Sequence, residues 1–401
     1  MIYDIVIVGG GLSGLALAAE LAAPDFCHLQ VLVLEQRTSY QRDRTWSYWQ
    51  RPLVSTHQYS QLERRVWGSW RVQQDKNMHT HGSLLAGDDI EKTTYRTLDS
   101  DAFYSAAQQT IARSSHVKLR LGTSVRQILA GDTPSVETSE GELINAVWIF
   151  DARPGRPSKP NYLVQQFFGR EITTDRDVFN TETVDLMRFQ PSAEGLHFFY
   201  VLPYSARNAL VETTWISPVS HRPDFEAELK KFTTALVGSA TYSVNYEEKG
   251  SLNLSQTCGN IGANRYVVPL GRAAGTLRAS TGYAFLETLE HAQKIAVSLR
   301  NYIGNGTLRN WAPVMFKRSA VDAWMDAVFL RVLRGNWSNS SMYFMQLFEK
   351  VEAQTLAAFL SGRANWRQRL LVARALPAWP FIVQALSMAA ESAARLMRLR
   401  R

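Results

Sequence analysis

The chain has 401 residues, enough to bury a large core in two or three structural units. At 45% hydrophobic and 20% charged it is an ordinary folded composition, which excludes fibrous and disordered classes. A net charge of +8 suits an acidic partner, either nucleic acid or an anionic membrane surface, or a protein that is simply basic. The two cysteines, Cys27 and Cys258, lie far apart and form no CxxC pair, so neither a disulfide framework nor a zinc site is expected.

Residues 3–8 are apolar and β-branched, a pattern that predicts a strand buried on both faces. With no basic region or cleavage site before this strand, the N-terminus reads as a mature cytoplasmic one. A glycine cluster follows, then a helix pattern over 15–21 and a second strand over 29–34 that ends on Glu35. Gly9, Gly11 and Gly14 fit GxGxxG between strand and helix. Gly9 suits a tight turn, Gly11 lets the backbone approach a pyrophosphate, and Gly14 lets helix and strand pack. Glu35 stands where a carboxylate accepts from a ribose hydroxyl. The fingerprint alone does not separate FAD from NAD.

Residues 42–97 read as irregular and aromatic. Helical periodicity returns over 102–112 behind the capping candidates Asp99 and Ser100, and strands are predicted over 117–121 and 146–150. The period is closer to two over 162–246, with a hairpin of 197–204 and 209–216. Residues 265–282 are again glycine-rich, a long helix is predicted over 284–302, and the remainder from 312 is mostly helical. Two histidines, His79 and His81, stand in a polar stretch without a third ligand, so no metal site is expected.

Several segments together resemble the flavin-dependent lycopene cyclases of bacteria. They are Asp43-Arg44-Thr45-Trp46-Ser47-Tyr48-Trp49, Phe150-Asp151-Ala152-Arg153-Pro154, residues 165–169, residues 198–203, Leu210-Val211-Glu212-Thr213, Ala279-Ser280-Thr281-Gly282-Tyr283 and the helical residues 329–333 and 344–360. Flavin aromatic hydroxylases carry Asp-Gly and Gly-Asp where this chain has Asp151-Ala152 and Gly271-Arg272. Two positions depart from the cyclase pattern, Arg188 and Arg278-Ala279, and both bear on substrate or membrane contacts.

The resemblance implies an α/β fold: a Rossmann-like FAD-binding domain of aromatic-hydroxylase-like architecture, an inserted antiparallel sheet on the substrate side, and a helical C-terminal region. The FAD domain is expected to be discontinuous, over 1–60, 98–160 and 262–310. The sheet domain would take 61–97 and 161–261, and the helical region 311–401. The implied cofactors are reduced FAD and NAD(P)H as electron donor. Flavin contacts are expected from Gly9, Gly11, Gly14, Glu35, Arg44, Asp151, Gly271 and Gly275.

The implied activity is that of a lycopene β-cyclase, an intramolecular lyase that closes the ψ ends of lycopene, or of a related ψ-ended carotenoid, without net redox change. Glu212 is its expected acid/base. From the residues alone, a solvent-facing strand residue is the commoner reading of that glutamate. Trp46, Tyr48, Trp49, Phe198, Tyr200, Trp215 and Tyr283 are expected to line the polyene site. The rivals are a monooxygenase, a prenyl-chain reductase and a non-catalytic carotenoid-binding flavoprotein. The implied partner beyond the carotenoid is a membrane surface rather than nucleic acid. The arginine-flanked apolar stretch 376–390 is too short to span a bilayer, so peripheral contact on the inner face of the cell membrane is expected.

Overall fold

The structure, a computed structural model, describes residues 2–50, 59–82, 93–155, 162–254 and 264–399, with side chains to residue 394. Cys258, the expected domain boundaries near 160 and 261, and the side chains of Arg395, Arg398, Arg400 and Arg401 lie outside the described residues.

The β-branched strand Ile2–Val8 sits at the centre of the first sheet, parallel to Val31–Leu34 on one side and to Leu143–Asp151 on the other. Val117–Arg120 extends the parallel run at one edge, and Val267–Pro269 also lies parallel to Leu143–Asp151. The helices Leu12–Leu21 and Phe285–Tyr302 cover this sheet and pack on each other in one apolar core. The expected βαβ unit is therefore present.

The second sheet has seven strands, in the order Tyr242–Asn253, Leu163–Thr174, Asn208–Pro218, Leu196–Pro203, Thr183–Gln190, Ser69–Gln74 and Asn77–Gly82. The predicted hairpin is its centre. All neighbours are antiparallel except Thr183–Gln190 and Ser69–Gln74, which run parallel. The helix Phe225–Val237 covers one face, with Leu229 and Val237 in a core of their own. The other face turns toward the dinucleotide fold.

Residues 42–97 are more regular than their sequence predicts. Thr45–Gln50, Thr94–Asp99 and Arg65–Trp67 form a third, three-stranded sheet, while Ser69–Gln74 and Asn77–Gly82 join the second. Buried aromatic residues obscure a period-two pattern in most of these strands, while Asn77–Gly82 is polar and largely exposed. Trp49, Trp67, Trp70 and Tyr95 share one core. The two expected helix caps also serve elsewhere. Asp99 makes no side-chain cap to the helix Ser100–Ala112 and instead pairs with Arg42 and Arg64. Ser100 Oγ accepts from the backbone N–H of Asp43 and Arg44, both at 3.0 Å.

C-terminal helices run Ala320–Gly335, Ser340–Lys350, Ala353–Leu360, Trp366–Ala375 and Ala378–Leu399. The departure at Arg278 is absorbed here. Its guanidinium is buried against Asp326 of the first of these helices at 2.9 Å and lies over the Phe359 ring. Arg188 pairs with Asp185 on its own strand.

Gly14 tests the close helix–strand packing. A Cβ there would lie 1.9 Å from the Gly9 carbonyl oxygen, whereas one at Gly11 would meet only an Arg37 nitrogen at 4.0 Å. Gly14→Ala is expected to lower the melting temperature by a few degrees, for a loss of about 2 kcal/mol or more. Gly11→Ala should leave it nearly unchanged. Equal melting by circular dichroism would contradict this packing.

Candidate active site

A cavity of about 1570 Å³ runs between the first two sheets. One end is built on the fingerprint. Gly9 has φ +100°, a backbone that suits glycine. Gly11 is the N-cap of the helix Leu12–Leu21, which has no side-chain cap and no acidic residue in its first turn. Its N-terminus therefore keeps a partial positive charge for an anion. Gly9, Gly11, Glu35, Arg44, Asp151 and Gly271 all line the cavity.

Gly14 and Gly275 are not on the cavity wall. Gly14 packs the helix on its strand, and Gly275 ends the short turn Gly271–Ala274 with φ +88°. That turn backs directly onto the fingerprint, since a Cβ at Gly271 would lie 2.5 Å from Ser13 Oγ.

Glu35 accepts from the Gly10 backbone N–H at 2.6 Å and from Arg37 Nε at 3.0 Å. Burial alone would raise its pKa, but the hydrogen bonds and charge of Arg37, with the Gly10 N–H, hold it below the usual range. It enters the site ionised and already oriented. Asp151 likewise accepts from Arg153 Nε and an Arg153 terminal nitrogen, both at 2.9 Å.

The other end of the cavity is the inner face of the second sheet. Strand register puts Tyr200 opposite Glu212, Glu212 opposite Gly169, and Gly169 opposite Glu248. Four neighbouring strands thus contribute one row, and directly paired residues in a sheet share a face. Gly169 leaves the gap in that row. A Cβ there would lie 3.3 Å from the Glu212 Cβ. The Glu212 and Leu210 side chains lean over that glycine, Glu212 and Glu248 stand on either side of it, and both glutamates line the cavity with Tyr200.

Thr214 Oγ1 donates to Glu212 at 2.7 Å; Thr45 Oγ1 and the Tyr246 hydroxyl each donate to Glu248 at 2.9 Å. Desolvation, and then the charge of Glu248, push the Glu212 carboxyl well above its ordinary range, although Arg44 acts in the opposite sense. Glu248 is raised as well, chiefly by desolvation.

A charged girdle stiffens this end. Glu171 bridges Arg42 at 2.6 Å and Arg64 at 2.7 Å. Burial would raise its pKa, but the two guanidinium groups hold it down to about 2. Glu171 is thus the ionised carboxylate of the face, two residues from Gly169 on the same strand.

The expected aromatic wall divides. Trp46, Tyr200 and Tyr283 line the cavity, and Trp46 stacks on Phe285 at 5.4 Å. Tyr95 joins them, with its hydroxyl 3.4 Å from that of Tyr283. Four expected residues do not line it. Tyr48 also stacks on Phe285 and donates to Glu63. Trp49 packs edge-on against Trp70, and Phe198 against Phe189, inside the apolar core.

Trp215 is on the opposite face of the sheet, stacked on His197 at 4.2 Å and donating to Glu228 of the helix Phe225–Val237 at 2.9 Å. It lies three positions after Glu212, an odd spacing that places the two on opposite faces of a strand. Glu248 was missed by sequence reasoning. Its signal is the adjacent pair Glu247-Glu248 in a strand, which puts one carboxylate on each face: Glu247 is exposed and Glu248 buried.

A family profile described as lycopene cyclase protein matches residues 4–386. The chain belongs to the lycopene cyclase family. It is accordingly an enzyme, and cyclisation of this kind is an isomerase reaction. It is 25% identical over 397 residues to a lycopene beta-cyclase of Paracoccus sp., covering 95% of each chain. It is 24% identical over 377 residues to one of Pseudescherichia vulneris, covering 90% of this chain and 91% of that one. Among solved structures, a geranylgeranyl bacteriochlorophyll reductase-like protein of Thermoplasma acidophilum aligns at TM-score 0.59 and 13% identity, over 93% of this chain and 96% of that one. The flavin-dependent monooxygenase PieE, solved in complex with FAD and substrate, aligns at TM-score 0.61 and 11% identity, over 94% of this chain and 71% of that one. The chain thus has the Rossmann-like fold of these structures.

The raised Glu212 carboxyl has a measurable consequence. An unfolded glutamate titrates near pH 4.3. A group raised on folding contributes stability that is full below that value and is lost as pH rises through the folded one. Glutamine does not titrate. Wild type should therefore lose stability relative to Glu212→Gln between about pH 4 and pH 8, read from urea midpoints. Parallel pH dependences would contradict a protonated Glu212.

Proposed function

We propose that the chain is a lycopene β-cyclase that closes ψ end groups to β rings by acid/base catalysis with reduced FAD bound. The observation that carries the reading is a buried, cavity-facing Glu212, its carboxyl pushed up by desolvation, at the end of a cavity that begins at a dinucleotide fingerprint.

The residues present fit FAD. Gly9, Gly11 and the uncapped helix N-terminus suit a pyrophosphate, Glu35 a ribose hydroxyl, and Arg44, Asp151 and Gly271 further contacts along the wall. When bound and reduced, the flavin supplies negative charge beside a developing cation without net electron transfer. NAD(P)H as its reductant is carried by the family resemblance.

Glu212 delivers its proton to the terminal double bond of the ψ end, leaving a tertiary cation. The faces of Tyr200, Tyr283, Tyr95 and Trp46 steady that charge. Apolar walls from Leu202, Leu210, Leu252 and Leu277 limit the water that would trap it. The neighbouring double bond closes the ring, and loss of a ring proton completes an isomerisation.

Purified protein with reduced FAD and lycopene, kept anaerobic, is expected to give cyclised product of unchanged mass. Glu212→Gln should lower the rate by about 10²–10⁴-fold while FAD absorbance stays with the protein. A gain of oxygen or hydrogen in the product would contradict cyclisation in favour of a monooxygenase or a prenyl-chain reductase.

Lycopene partitions into bilayers, and the C-terminal helices suit collection from one. No single described helix is long and apolar enough to span a membrane, and Trp366–Ala375 and the following helix are bent apart by 118°. The final helix buries Phe381, Ala385 and Met388 inward yet exposes Trp379 by 75% and Leu386 by 66%. Trp366 is 67% exposed, with Arg367 and Arg374 on the same helix. This pattern supports a peripheral contact in the interface, aromatic residues at headgroup level and arginines on anionic lipid. The cytoplasmic face of the cell membrane as its location follows from the family resemblance. The protein should float with anionic liposomes at low salt, and the double variant Trp379→Ser/Leu386→Ser should float several-fold less. Equal flotation of the two would contradict this surface.

A further inference from the structure

The mechanism above leaves the cavity-facing Glu248 without a task. Glu248 is 5% exposed, and its position is fixed by strand pairing rather than by a loop. It shares the row of Glu212, with only Gly169 between them. One oxygen of each carboxyl is engaged by hydroxyl donors: Thr214 at Glu212, and Thr45 with Tyr246 at Glu248. The other oxygen of each has no hydrogen-bond partner among the described residues. Each of these two residues, which line the same cavity, thus keeps one carboxyl oxygen without a protein partner.

We propose that Glu248 is the base of the reaction, the carboxylate that removes the ring proton after Glu212 has delivered the first one. This rests on the cyclase reading. The steps balance. Glu212 gives a proton to C2 of the ψ end, and the C1=C2 electron pair forms the new C–H bond, leaving a cation at C1. The C5=C6 pair forms the C1–C6 bond and moves the cation to C5. Glu248 takes the proton from C6, and that C–H pair becomes the ring C5=C6 double bond. The active site has lost a proton at Glu212 and gained one at Glu248, and exchange of both carboxyl groups with water between turnovers restores it.

Electrostatics support a pair holding one proton. Like carboxylates at close quarters resist double ionisation. The groups that act on the pair are Arg42 and Arg44 from the segment leading into Thr45–Gln50, Tyr246 on the strand of Glu248, and Tyr200 beyond Glu212. The arginines favour one negative charge, and desolvation disfavours two.

The cation at C5 can lose a proton from C6, from the ring C4 or from the methyl group, and the position of the base selects among them. That regiochemistry separates a base from a residue that only shapes the site. Wild type, Glu248→Gln and Glu248→Asp would be assayed with lycopene and reduced FAD, with products resolved by chromatography and NMR. For Glu248→Gln we expect a rate loss of about 10²–10⁴-fold. Its residual product should contain ring isomers with the double bond displaced, at unchanged mass, and its rate should lose the acid limb of the wild-type pH profile. Glu248→Asp should restore part of the rate and the β ring. A Glu248→Gln variant that forms only β rings with an unaltered pH profile, at whatever rate, overturns the proposal. Failure of the wild type to form any ring would instead overturn the proposed function, and this inference with it.

Discussion

The constraint on which the rest depends is the register of four strands in the second sheet. It aligns Tyr200, Glu212, Gly169 and Glu248 in one row facing the cavity. A one-residue slip in any of these strands would turn its member to the other face. The absence of a side chain at Gly169 leaves room for the Glu212 and Leu210 side chains to lean over it, with both glutamates on the same cavity wall. Burial then does what proton chemistry requires: a carboxylic acid removed from water keeps its proton near neutrality. The neighbouring Glu171, on the same strand, is held ionised by Arg42 and Arg64. Two environments a few ångströms apart thus push carboxyl groups of one face in opposite directions.

The dinucleotide half is organised by close backbone approach instead. Gly14 lies against Gly9, and Gly271 against Ser13, so two glycine-rich segments distant in sequence form one wall. The girdle of Arg42, Arg64, Asp99 and Glu171 ties the segment carrying Arg44 to the second sheet. Through it the two halves of the cavity hold a fixed relation. The buried Arg278–Asp326 pair does the same for the first C-terminal helix. Removing one partner from such a pair typically costs about 3–5 kcal/mol because a charge is left alone.

Much of this was legible in the sequence. The fingerprint, the hairpin and Glu212 follow from local periodicity and from a resemblance carried by short motifs. The losses have physical reasons. Alternation along a strand would have separated Trp215 from Glu212, since their spacing is odd, and would have drawn attention to Glu248 within Glu247-Glu248. Trp49, Phe198 and Tyr48 could not be assigned from type alone, because an aromatic residue serves a core and a cavity wall equally well. Most strands within 42–97 were hidden because buried aromatic residues crowd them, and Asn77–Gly82 because it is a polar, largely exposed edge strand, so neither kind shows a clean alternation. Asp99 and Ser100 look like caps, but long-range partners at Arg42, Arg64, Asp43 and Arg44 claim them.

The central claim is that a carboxylic acid of this chain places a proton on the substrate. Carboxyl protons exchange with solvent between turnovers, so the isotope of the medium should be written into the product. Lycopene converted anaerobically in deuterium oxide, with reduced FAD, should give product carrying one deuterium for each ring closed, bound to the ring carbon next to the gem-dimethyl group. Cyclised product free of deuterium at that carbon would contradict protonation by Glu212 and the account built on it.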